Sequence, residues 1–158
     1  MSSNDAQTQP SPDPALGRLD RLVGRWTLRG HLVGSDEENI TGEIAFQWLE
    51  GGFFLQQDAE IDFAGMFKVN ARELIGYDRA TEAFASYVYS NFSPEPLPYT
   101  WDLRDDTLTI SVSHGPLDST FSGEFSEDGD SFAGGWRPNP GADETVNIAY
   151  DVAGTRLE

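Results

Sequence analysis

Two histidines, His31 and His114, are the only imidazoles in the chain, and cysteine is absent. A tetrahedral zinc site needs three or four converging nitrogen, sulfur or oxygen ligands. No H-x-H or H-E-x-x-H spacing supplies them, so no metal is expected. The segment "SEDGDSF" (126–132) opens like an acidic calcium loop but lacks its spacing and closing glutamate; it reads as a hairpin turn. Without cysteine there is neither a thiolate nucleophile nor a disulfide. No phosphate loop or dinucleotide fingerprint occurs, so no cofactor is expected.

His114 is the better candidate for proton chemistry. It alternates in step with Leu108, Ile110 and Val112 and stands just before Gly115-Pro116. Two readings are open. It is either a rim histidine bonded to a loop or a polar group at a pocket mouth, with a pKa suited to acid–base work. Ser113 points to the other side of the strand, and no nucleophile elbow accompanies it, so a catalytic triad is not expected. The carboxylates sit mostly in turns or on outward faces, as in Asp36-Glu37-Glu38, Asp105-Asp106 and Glu127-Asp128. A glycosidase pair needs two opposed carboxylates in a cleft, which Glu60 and Asp62, on an outward face, do not form.

Gln57 interrupts an apolar inward face, and a buried amide must find partners. Those partners are backbone, bound water or a ligand. Tyr77, Tyr87, Tyr89 and Tyr99 pose the same choice, each an apolar body with one hydroxyl. Trp48, Trp101 and Trp136 fall on inward faces. They either fill the interior or form an aromatic wall for a hydrophobic or planar molecule. Together with His114, these residues are the candidate lining of a ligand cavity.

The elements that must hold them are strands. Residues 1–14 are polar, carry Pro10, Pro12 and Pro14, and read as a disordered leader. Asp13 caps a short helix with Pro14 at its first position. Leu16, Leu19, Leu22 and Val23 form its apolar stripe, and Gly24 ends it. From there to residue 158 the period is two. Trp26, Leu28, Gly30 and Leu32 alternate with polar residues, as do Ile40, Ile44, Phe46 and Trp48, and then Leu55, Ala59, Ile61 and Phe63. Phe67, Val69, Ala71, Ile75 and Tyr77 share the next face. In "FASYVYSNF" (84–92) both faces are partly apolar and the inward set is ambiguous. "SPEPLP" (93–98) is a loop, and the last strand carries Val146, Ile148, Tyr150 and Val152 on one side. There is no internal repeat.

About ten strands, spaced by turn signals, indicate an all-β antiparallel protein. A long meander leaves two bare edges unless it closes. The expected fold is a single closed up-and-down barrel over residues 15–158 with a short N-terminal helix at one end; a β-sandwich is the competitor. Interior glycines such as Gly30, Gly42, Gly123 and Gly134 suit a strongly bent sheet.

Acids outnumber bases 27 to 10, a formal charge of −17 over 158 residues. Such a field repels nucleic acid and anionic membranes, so neither is an expected partner. It suits a soluble surface or a high-salt habitat. "MSSNDAQTQPSPDPALG" (1–17) lacks a basic n-region and an apolar core, so it is not expected to be a signal peptide, and no apolar run approaches the ~20 residues that span a bilayer. A cytoplasmic location is the default expectation.

Gly24-Arg25-Trp26, after a short helix and at the start of the first strand, resembles the G-x-W signature of lipocalins and the wider calycin group. The resemblance implies that Trp26 plugs one barrel end and that Arg156, near the end of the last strand, lies over it. The segments "LDRLVGRWTLRG", "FQWLEGGFFLQQ", "ELIGYDRATEAFASYVYS" and "FSEDGDSFAGGW" resemble the DUF1579 family of uncharacterised bacterial proteins and cover most of residues 19–136 in order. That family has no agreed activity, so what it implies is a fold. Nitrobindin-like haem barrels resemble the chain in the opening G-x-W. They hold haem through a histidine near the C-terminus, and no histidine follows His114.

The function these features point to is binding of a small, mostly hydrophobic or aromatic molecule inside the barrel. One alternative is a lipocalin-type enzyme, a cyclase or isomerase of a small apolar substrate, for which Tyr87, Tyr89, Trp101 and His114 are the first residues to substitute. The other is a structural or interaction module with a filled barrel, forming a homodimer through an exposed sheet face.

Overall fold

Alternation of apolar and polar side chains builds ten strands: β1 (Gly24–Leu32), β2 (Ile40–Trp48), β3 (Leu55–Phe63), β4 (Phe67–Asp78), β5 (Ala83–Ser90), β6 (Leu97–Arg104), β7 (Thr107–His114), β8 (Leu117–Phe125), β9 (Ser131–Pro138) and β10 (Tyr150–Arg156). The computed structural model describes residues 10–157. Most of the expected polar leader, residues 1–14, lies outside them. Each strand pairs antiparallel with the next, and β10 returns to pair with β1 from Trp26↔Arg156 to Leu32↔Tyr150. This closed up-and-down barrel leaves no edge strand. Gly30 marks the tight curvature at the closing seam: a Cβ there would overlap the carbonyl of Asp151.

One end is sealed. Pro14–Leu22 is a 3₁₀ helix, with the Asp13 carboxylate accepting the Ala15 N–H. Leu16, Leu19 and Leu22 recur every third residue, the period of a 3₁₀ turn, and all three are buried. Val23, expected to extend the stripe, is exposed, because the helix has already ended at Leu22. Trp26 is fully buried beneath the helix, donates its indole N–H to the Leu22 carbonyl and meets Phe125 and Phe132 edge-on. The Arg156 guanidinium lies 4.2 Å from the centroid of the Trp26 ring. It donates to the carbonyls of Val23 (2.6 Å) and Arg21 (2.7 Å). Gly24, at φ 125°, leaves room for it: a Cβ would sit 3.0 Å from the guanidinium.

Two segments differ from the reading of the sequence. Leu97 and Pro98, expected in a loop, open β6; no β7 residue pairs with Pro98. Val146 and Ile148, expected in the last strand, precede it. The 139–149 segment is pinned by Asn147, which is 2% exposed. Its amide accepts from the Asp118 N–H and the Ser119 hydroxyl and donates to the carbonyls of Pro116 and Asp143. All four hydrogen bonds of that side chain are thereby used, and they fold the segment over the end of β8 instead of extending β10.

Candidate functional site

The end opposite the helix is not filled. Inward residues near the ends of β3, β4, β6, β7, β8, β9 and β10 wall a cavity of about 260 Å³. Phe63 stacks on Phe67 with centroids 5.0 Å apart, and Tyr150 meets Phe63 edge-on at 5.0 Å. Tyr99 meets Trp136 edge-on at 6.1 Å. These five rings line the cavity together with Val69, Val112, Leu117, Ser119 and Asn147, while the half-exposed Val146 and Ile148 border it. Burial pushes the phenol of Tyr99 up to about 12, helped by the charge of Glu73, and burial raises Tyr150 as well. Both phenols therefore stay neutral hydrogen-bond donors near neutral pH.

Deeper in the barrel stands a carboxylate. Glu73 lies midway along β4, opposite Gln57 of β3, and is 7% exposed. Gln57 Nε2 donates to its Oε1 at 2.8 Å. Ser86 Oγ and Trp101 Nε1 donate to its Oε2, the indole at 2.7 Å. No ion pair among the described residues includes Glu73. Burial raises its pKa from 4.5 to about 7, against the opposing pull of the Ser86 and Trp101 hydrogen bonds. A carboxyl that burial holds near neutrality can take up or release a proton close to physiological pH. Ser86 stands directly across from Tyr99 in the sheet, which puts Glu73 one step below the cavity wall.

The candidate residues separate into four groups. Tyr99 and Trp136 line the cavity. Gln57 and Trp101 hold Glu73. Trp48 and Tyr77 belong to the sealed end, where Trp48 donates to Asp20 at 2.8 Å and Tyr77 packs edge-on against Phe84. Tyr87, Tyr89 and His114 are not in the interior. Tyr87 and Tyr89 are 55% and 52% exposed. Strand β5 instead turns Phe84, Ser86 and Val88 inward, because Phe84 is buried against Tyr77 and Ser86 is bound to Glu73. His114 has the inward parity but lies beyond the wall, at the turn into β8, where its Nε2 is 2.8 Å from Glu95 Oε1. Among the described residues, no group of three or more His, Asp and Glu converges to hold a metal ion.

Glu73 is the residue sequence reasoning missed. It has the same parity as Phe67, Val69, Ala71 and Ile75, so the signal was a charge at an inward position. Asn147 carried a weaker signal, being hidden between two apolar residues that resembled a strand.

The family description "Protein of unknown function (DUF1579)" matches residues 11–125. The chain belongs to the DUF1579 family. The DUF1579 segment contains the sealing helix, Trp26 and the whole Glu73 network, while β9, β10, Trp136, Tyr150 and Arg156 lie past its end. No curated protein matches this DUF1579 chain in sequence. Among solved structures, Rv2717c from M. tuberculosis has the same fold, with a TM-score of 0.59 and 15% identity over 94% of this chain and 100% of that one. A de novo designed fluorescence-activating β-barrel aligns with a TM-score of 0.45 and 12% identity, over 85% of this chain and 93% of that one.

Proposed function

We propose that the protein binds one small, mostly apolar or aromatic molecule in the open end of its barrel. The observation that carries this reading is the asymmetry of the interior. One end is packed shut by the helix and Trp26, while the other keeps an aromatic-walled cavity of about 260 Å³. That volume is just below the roughly 300–1,000 Å³ of typical ligand sites, so the occupant is small. A naphthalene-sized aromatic hydrocarbon is the natural probe. A ligand that binds only the folded state raises stability, by about 2.7 kcal/mol at one hundred times its Kd. The expected result is a rise in melting temperature that disappears in Val69→Phe, which fills the cavity. No rise with the unaltered protein across a series of such probes would remove the proposal. Native mass spectrometry of the protein as purified reads a retained molecule directly.

A catalytic reading draws on Glu73, a buried carboxyl held by three neutral donors and pushed by burial up to about 7. On this reading Glu73 removes a proton from the bound molecule and returns it to a different atom, an isomerisation. Its mark is solvent deuterium entering the bound molecule at a carbon, at a rate lost in Glu73→Gln. A retained molecule that takes up no deuterium excludes it.

A further inference from the structure

We propose that the cavity selects small organic cations, aromatic or compact alkyl amines, whose ammonium N–H is accepted by Glu73 while the surrounding rings face its positive charge. The inference rests on the binding reading above and names the ligand class of that same site.

Three independent features converge on it. The first is acceptor geometry. A carboxylate offers about four lone-pair positions. Gln57 takes one on Oε1, and Ser86 and Trp101 take two on Oε2. A position on Oε1 is left for a donor from elsewhere. The second is the missing counter-charge. Glu73 is the only buried charged side chain among the described residues, and the groups around it are neutral: Gln57, Ser86, Trp101 and the phenol of Tyr99. Burying an uncompensated carboxylate is costly, and a bound ammonium relieves that cost. The third is the wall. Five aromatic rings border a cavity of about 260 Å³, and ring faces attract cations, most strongly when water is excluded. The formal charge of −17 adds a field that gathers cations and disfavours fatty-acid-like anions.

The path from cavity to carboxylate is short. Tyr99 lines the cavity and faces Ser86 across the β5–β6 pair. Ser86 in turn donates to Glu73 Oε2, so the carboxylate stands behind the Tyr99–Ser86 pair, and the ammonium arm of a bound ligand must extend past Tyr99 to reach it.

Three probes of one shape test this: 1-naphthylmethylamine, 1-methylnaphthalene and 1-naphthoic acid, titrated calorimetrically at pH 8. The expected order is amine tightest, by roughly tenfold or more over the hydrocarbon, and acid weakest. In Glu73→Gln the amine and the hydrocarbon should bind alike. A measurement on the unaltered protein guards against a folding defect in that variant. At pH 5 the amine keeps its charge while Glu73 is protonated, so the preference for the amine should fall. Equal binding of amine and hydrocarbon at pH 8, or an amine preference that survives Glu73→Gln, overturns the charge inference and leaves the cavity reading intact. Failure of all three probes to bind overturns both.

Discussion

Glu73 carries a stability signature of its own. Its pKa is 4.5 ordinarily and about 7 in the fold. Between those values the folded protein holds a proton that the unfolded chain has released. The Glu73 contribution to stability is therefore fully present below about pH 4.5, is lost as pH rises to about 7, and is level above that. The loss amounts to roughly 3 kcal/mol. Other carboxylates also titrate, so the clean measurement is a difference between urea unfolding curves. Glu73→Gln should gain roughly 3 kcal/mol on the unaltered protein between pH 4.5 and pH 7.5. A flat difference would mean that the carboxyl titrates normally. Glu73→Ala behaves otherwise, because it strands the donors of Gln57, Ser86 and Trp101. It should cost about 2–4 kcal/mol at pH 5, where the charge is not at issue. The position of this residue was legible as parity on β4, but its role was not. Its partners come from β3, β5 and β6, which only pairing brings together.

At the scale of elements, the seal is a joint between a helix and two strand ends. The Leu16, Leu19 and Leu22 spacing is legible in the sequence as an apolar stripe. Its exact period of three separates a 3₁₀ turn from an α-helix, for which Val23 would have continued the face. Leu19 is fully buried, and Leu19→Ala should lower stability by about 2–4 kcal/mol in urea unfolding. Arg156 fastens the same joint through the Val23 and Arg21 carbonyls and the Trp26 ring. Its surface pair with Asp130 adds little. Arg156→Ala should cost about 2 kcal/mol by the same measurement. Arg156→Lys should recover less than half of that, since a point ammonium does not fork to two carbonyls. If Lys restores full stability, charge rather than geometry holds the joint. Strand β5 teaches the opposite lesson about legibility. Both faces of the segment are partly apolar and the sequence leaves the inward set open; Phe84 and Ser86 decide the face, because one needs burial and the other satisfies Glu73.

Over the whole molecule, a formal charge of −17 is a source of self-repulsion. Screening by salt relieves it. The urea midpoint should rise between low salt and molar KCl, and a midpoint that does not rise would show that the surface is already balanced locally. No helix among the described residues is long and apolar enough to cross a membrane. The barrel itself was legible: ten alternating segments joined by short turns have two edges, and closing β10 on β1 removes both.

The sequence alone determined the strand count, the alternation and the capped apolar turn, because these follow from local periodicity; the Trp26–Arg156 joint was only implied, by the resemblance of Gly24-Arg25-Trp26 to the lipocalin signature. Tertiary structure decided the rest. It set which face of β5 points inward, where the barrel wall stops short of His114, how Asn147 folds the last loop back, and that Glu73 meets three donors and no cation. Each of these depends on register between strands distant in sequence, and register is a property of the closed sheet rather than of any one segment.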